Sequence, residues 1–179
     1  GKRIGSNPVN AVYQEFVLWN TSTHIISRAD IKTNINTFYN IYNPTLSPLL
    51  LNSYPGAAAA YSLRQLSTSY TGSSILVQDN VGGATKAIDF DANGNLNTAE
   101  LIAYGGANDV FVVAWYDQSG NNNVALQPSA ASRPKIYDGT TGAVIVDANG
   151  KPAVSFDGSN DALNSTSNVS MPLNNAIAI

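Results

Sequence analysis

Val110–Asn123 reads VFVVAWYDQSGNNN, and its two halves suit opposite environments. Val110-Phe111-Val112-Val113-Ala114 is an apolar run rich in β-branched residues, whereas from Asp117 onward almost every side chain is a hydrogen-bonding one. A short run of this kind, closed by turn residues, predicts a strand over 110–116 that leaves its sheet at Asp117. An aspartate at such a mouth is either a reacting carboxylate or a turn residue. The spacing favours the turn. Asp117 and Ser119 carry oxygens that can accept backbone N–H groups just downstream, and Gly120 supplies a permissive backbone.

The same punctuation recurs on either side. Short strands are expected at 74–78, 86–90, 143–147 and 153–156, and Asp-Ala-Asn-Gly appears twice, at 91–94 and 147–150, as a turn signal. Gly82-Gly83 reads as a hairpin turn, and Thr98–Tyr104 as a short helix. Residues 11–19 (AVYQEFVLW) alternate as a strand does, and Ile31, Ile35, Phe38 and Tyr42 then fall on one helical stripe that must end before Asn43-Pro44. Ala57–Tyr70 (AAAAYSLRQLSTSY) predicts a helix with Ala59, Leu63, Leu66 and Tyr70 on one face. The expected fold is mainly β: a β-sandwich with short helices attached, preceded by a strand-plus-helix segment.

Composition sets the function classes. Of 179 residues, 44% are hydrophobic and only 12% charged, so a core is available and the surface must be polar without being charged. Asn, Ser, Thr and Gly fill that role, as in extracellular and virion β-proteins. A net charge of −3 and nine unclustered basic residues argue against nucleic acid. With no cysteine, thiol nucleophiles, disulfides and zinc-thiolate sites are excluded, and the lone His24, read as a solvated loop residue, cannot form a two-histidine metal site. No apolar run is long enough to cross a bilayer and no signal peptide stands at Gly1, as an internal fragment of a secreted or virion protein would also read.

Four blocks carry a family resemblance: AAAAYSLRQLSTSYTGSSILV, AIDFDANGNLNTAEL, WYDQSGNNN and GKPAVSFDGSNDAL. In this order, over residues 54–165, they resemble the N-terminal half of the α-L-arabinofuranosidase B catalytic domain family. That resemblance implies a concanavalin A-like β-sandwich, here partial, with relatives in bacterial surface proteins and phage tail proteins. YQEFVLWNTSTHIISRADIKTNINTFYNIY, within residues 1–43, resembles the closing strand and terminal helix of a laminin-G-like domain. Together they imply the end of one sandwich (1–43), a linker (44–55) and the first half of another (56–179). Ala176–Ile179 would then begin a strand that needs a partner from outside the chain.

The implied function is a non-catalytic structural or glycan-recognition module of a multidomain virion protein (phage tail or fibre) or bacterial surface protein. Its place would be the virion, cell surface or extracellular space, and its partners neighbouring domains or subunits and polysaccharide. The alternative is a fragment of an arabinofuranosidase-type glycoside hydrolase. In that family both catalytic carboxylates lie in the second half of the domain, downstream of the matched blocks, so none carries over. Retaining hydrolysis needs two carboxylates roughly 5 Å apart. Glu occurs here only at 15 and 100, and no such pair is identifiable. No catalytic residue and no cofactor are expected.

Trp115, Tyr116, Asp117 and Asn121 are the candidate glycan contacts. Tyr61 and Tyr70 read as packing residues and Arg64 as a strand-end or surface hydrogen-bonder. One metal pattern competes: Asp89, Asp91, Asn93, Gly94 and Glu100 match the spacing of an EF-hand calcium loop. Its flanks argue against it, since a strand rather than a helix enters and Glu100 is already favourable at a helix N-terminus. No calcium is expected.

Overall fold

Antiparallel pairing joins all the strands of the computed structural model, which describes residues 49–166 throughout, the backbone of 3–4, 11–13, 15–19 and 176–178, and Ile35 and Phe38 in helical backbone. In chain order the strands are β1 (Arg3–Ile4), β2 (Ala11–Tyr13), β3 (Glu15–Trp19), β4 (Ala57–Ser62), β5 (Ile75–Asp79), β6 (Lys86–Ile88) and β7 (Val110–Trp115). β8 (Ala125–Leu126), β9 (Lys135–Asp138), β10 (Ala143–Val144), β11 (Val154–Phe156), β12 (Leu163–Ser165) and β13 (Ala176–Ala178) follow. Two short helices, α1 (Leu50–Ser53) and α2 (Thr98–Gly105), and a 3-10 turn at Ala130–Ser132 complete the described elements.

β7 organises the larger sheet. One of its edges takes β5, from Ile75 opposite Trp115 to Asp79 opposite Val110. The other edge is shared: β9 pairs at Val110 and Phe111, and β8 at Ala114 and Trp115. The sheet continues through β12 to β1 on one side and through β11 to β2 on the other, with β6 outside β5 and β10 beside β9. It curls into a half-barrel, consistent with a β-sandwich. The register between β5 and β7 skips Val113, so Val112 and Trp115 both meet the core face of Ile75 and Val77. A bulge thus turns the strand end inward.

The main core joins Tyr61, Leu63, Ile75, Ile88, Leu101, Val112, Trp115, Ile136, Phe156 and Leu163, all within 1% of full burial. α2 covers it. Asn97 Oδ1 accepts the Glu100 N–H at 3.2 Å to start this helix, and Leu101 anchors it. At the helix end Gly105 lies so close to Tyr137 that an added Cβ would stand 2.5 Å from the ring.

The helix predicted over 57–70 is a strand at its start and irregular beyond. β4 is buried at all six positions. Ala59, Tyr61 and Leu63 face the main core, while Ala57, Ala60 and Leu66 join Leu50, Leu51 and Ile35 in a second cluster. Alanine's strong helix propensity loses because this segment is a wall between two apolar clusters, where small side chains at a period of two fit. In the smaller sheet β4 pairs with β3, and β3 with β13. Ala176–Ala178, expected to need an outside partner, therefore finds one in Phe16–Leu18 of the same chain.

Backbone pairing also runs across residues 44–55, through β1 with β12, β2 with β11 and β3 with β4. His24, Ile31 and Tyr42 lie outside the described residues. Among the described residues no helix is long and apolar enough to cross a membrane.

Candidate functional site

The segment after β7 turns back onto β4. Asp117 is 5% exposed, and its carboxylate accepts four hydrogen bonds. Oδ1 takes the Ala60 and Ser119 N–H groups, each at 2.8 Å, and Oδ2 takes Ser119 Oγ at 2.8 Å and the Asn123 N–H at 2.9 Å. The bond to Ser119 is the local turn that the spacing predicts. The bond to Ala60 spans 57 residues and has no local signature.

Its neighbours do the same work. Gln118 donates its backbone N–H to Ala60 O at 2.8 Å, while its amide accepts from Leu66 N and donates to Ser62 O and Arg64 O. Asn121 Nδ2 reaches the Ala57 and Ala58 carbonyls, and Asn123 Nδ2 reaches Ala58 O at 2.7 Å. Ala58, Ala60 and Ser62 are alternate residues, so their backbone groups point to one edge of β4. Side chains of 117–123 replace a strand along that edge. Positive φ at Gly120 (89°) and Asn122 (55°) lets the segment fold back, and Asn is among the few non-glycine residues that tolerate it.

These bonds decide what the four candidate contacts can do. Trp115 is fully buried, its ring 6.4 Å from that of Tyr61, so it has no surface to offer a glycan. The Asp117 oxygens are taken by its own chain, and the Asn121 amide nitrogen is turned toward the Ala57 and Ala58 carbonyls. Tyr116 is half-buried, and Asn121 is exposed. Below them the Tyr61 hydroxyl donates to Asn123 O. Burial first, and the Asp117 charge second, push its phenol from 10.0 up to about 12, against a lowering hydrogen bond with Ser165. Tyr70 is likewise pushed up to about 12, chiefly by burial, then by Tyr116, Asp117 and Asp89.

The stretch with calcium-loop spacing is a turn in which Asp89, Asp91 and Glu100 each bond to the chain itself. Asp91 Oδ1 accepts Asn93 N and Asn95 N, both at 2.8 Å, and Asp91 N–H donates to Asn95 O. Asp147 repeats the pattern, accepting Asn149 N and Lys151 N at 2.8 and 2.9 Å. The two Asp-Ala-Asn-Gly copies thus build one and the same turn. Asp89 receives Ser73 Oγ at 2.6 Å, and Glu100 pairs with Lys86 at 2.7 Å. Among the described residues no three His, Asp or Glu side chains converge as metal ligands.

A cleft of about 180 Å³ lies beside Tyr70 and Gln118–Gly120, and two larger ones on the described surface have linings that sequence reading did not single out as a site. Of these two, one, about 420 Å³, has a mixed lining in which Leu63, Ile102, Val144 and Val146 stand beside Asp91, Asn95, Thr98 and Lys151. The other, about 350 Å³, lies between the β5–β6 hairpin and the 3-10 turn and is lined by Gln78, Asp79, Asn80, Gly82, Phe111, Ala130, Ala131 and Arg133. The alternation of β7 did carry a signal for the second: with Val110 and Val112 buried, Phe111 must face outward.

No protein-family model, curated protein or solved structure matches this chain.

Proposed function

We propose that this chain is a non-catalytic structural or glycan-recognition module of a larger virion or cell-surface protein, with a concanavalin A-like β-sandwich as its finer architecture. One observation carries the non-catalytic part: the carboxylate at the mouth of β7 accepts four hydrogen bonds that hold the edge of β4. A nucleophile or general acid needs an oxygen aimed at substrate, and Asp117 aims both of its oxygens at its own chain. The four resembling sequence blocks support the architecture and the surface setting, as does a coat of Asn, Ser, Thr and Gly in place of charge.

Incubation with an aryl arabinofuranoside, beside affinity electrophoresis through gels containing neutral polysaccharides, tests this reading. The expected result is no turnover, with retardation on at least one polysaccharide. Turnover that Asp117→Asn abolishes without unfolding the chain would overturn it in favour of a hydrolase.

A further inference from the structure

We propose that the cleft lined by Gln78, Asp79, Asn80, Phe111 and Arg133 is a subsite for a neutral sugar ring; this rests on the recognition reading above and gives it a location. The cleft is built on the sheet rather than on a loop. Phe111 stands in β7 with Gln78 of β5 opposite on one side and Lys135 of β9 opposite on the other, so the three share the outward face. Val77, Val110 and Val112 fix the same strands from the core side. The aromatic ring therefore has a rigid support.

The polar groups around it are pre-positioned. Arg133 donates Nε to Gln127 O at 2.9 Å, Nη1 to Gln78 Oε1 at 2.6 Å and Nη2 to Pro128 O at 2.8 Å. A guanidinium has five N–H donors, so this three-point hold leaves two to serve a ligand. Gln78 is itself tied to Gly83 O through Nε2 at 2.7 Å, and Gln127 to Ala162 O at 2.8 Å. Asp79 Oδ1 accepts the Gly83 N–H at 2.7 Å, and a carboxylate keeps further lone pairs for hydroxyl donors. Asn80, exposed at the hairpin turn, adds an amide that both donates and accepts.

Three ligand chemistries can be compared against this lining. A purely apolar ligand would strand the guanidinium and carboxylate. An anion would meet Asp79 and a guanidinium already turned toward three acceptors, while the nearby Lys135 ammonium is held by Asp109 at 2.7 Å. A sugar ring presents a C–H face to an aromatic and an edge of hydroxyls that need donors and acceptors together, and the cleft supplies both with its opposite charges balanced. Its volume of about 350 Å³ lies at the small end of ligand pockets, as a subsite for one or two rings requires. The cleft at Ile102 and Val146 has no aromatic side chain in its lining and fits this ligand less well.

The test is an amide chemical-shift titration of the ¹⁵N-labelled full chain with maltotriose, cellotriose, arabinotriose and chitotriose, and separately with glucuronate. One neutral trisaccharide is expected to move the Asn80, Gly82 and Phe111 amides. Phe111→Leu should weaken that binding by about tenfold and Asn80→Ala, at an exposed turn, by about threefold, while Val146→Ala in the other cleft leaves it unchanged. Binding that instead moves Ile102 and Val146 overturns this location and leaves the recognition reading standing. Binding of glucuronate alone overturns the ligand class. No binding by any neutral trisaccharide, with the variants and parent all folded, removes both the subsite and glycan recognition.

Discussion

Replacing Asp117 tests the edge cover of β4 directly, because the two obvious substitutions remove different parts of it. Asp117→Ala deletes the acceptor of four hydrogen bonds, one of them from the buried Ala60 N–H. The Ser119 and Asn123 donors are part-buried and can recover some hydration, whereas Ala60 N–H, inside β4, cannot. At about 1–3 kcal/mol for each buried donor left without a partner, the loss comes to about 3–5 kcal/mol. In a chain of this size that lowers Tm by roughly 6–20 °C.

Asp117→Asn keeps the shape but turns one oxygen into a donor. With its remaining oxygen on Ala60 N and Ser119 N, the new amide can use Ser119 Oγ as an acceptor but opposes Asn123 N–H. One unsatisfied donor then costs about 1–3 kcal/mol. Urea unfolding followed by tryptophan fluorescence and circular dichroism measures both variants against the parent. An Asp117→Ala stability within 0.5 kcal/mol of the parent, on the order of an ordinary surface substitution, would refute the claim that this carboxylate holds the strand edge. Equal stabilities for the Asn and Asp forms would refute the reasoning about donors.

The raised phenols of Tyr61 and Tyr70 give a pH dependence with a definite sign. Their folded values lie above 10.0, so their contribution to stability is complete below pH 10 and is lost as pH rises from 10 to about 12. Tyrosinate absorbance should show these phenols ionising last, and Tyr61→Phe should flatten the fall in stability across that window. Gly139→Ala should destabilise by about 1–3 kcal/mol in thermal unfolding, since the new Cβ would meet the Asn108 and Ala107 backbone at 2.4–2.6 Å, which no side-chain rotation can relieve. Calcium titration by calorimetry should give no isotherm at the 89–100 loop, and Tm should be the same in calcium and in chelator. A binding isotherm lost in Glu100→Ala would show that the ion can displace Lys86 and Ser73 from these carboxylates.

What could be read from the sequence was what neighbouring residues decide. The strand at 110–115, the paired Asp-Ala-Asn-Gly turns, the hairpin at Gly82-Gly83 and the helix from Thr98 all rest on side chains acting within a few positions. β8 and β12 are two and three residues long, too short for any periodic signal, and exist because β7 and its neighbours offer them an edge. The alanines of β4 point to helix in isolation, and only the apolar clusters on both sides reverse that. Asp117 shows the division within a single residue: its bond to Ser119 follows from spacing, and its bond to Ala60 could be known only from the fold. The turn at Asp117–Gly120 has a local mark, whereas the bulge that turns Trp115 inward and the docking of 117–123 onto β4 have none.

Synthesis runs from the N-terminus, and the side chains that close the edge of β4 are encoded far behind it. Ala60 leaves the ribosome 57 residues before Asp117. At about 5–20 residues per second the strand waits roughly 3–11 s for its cover. Closing a loop of that length costs about 3–4 kcal/mol beyond a constant term, so the cover cannot form by local search ahead of the sheet that carries it. During this interval Ala57-Ala58-Ala59-Ala60 is an apolar, uncharged stretch with an open edge, available to nascent chains on neighbouring ribosomes. Slower translation through residues 61–116 lengthens that exposure, whereas an early chaperone contact on the alanine run shields it until Asp117 arrives.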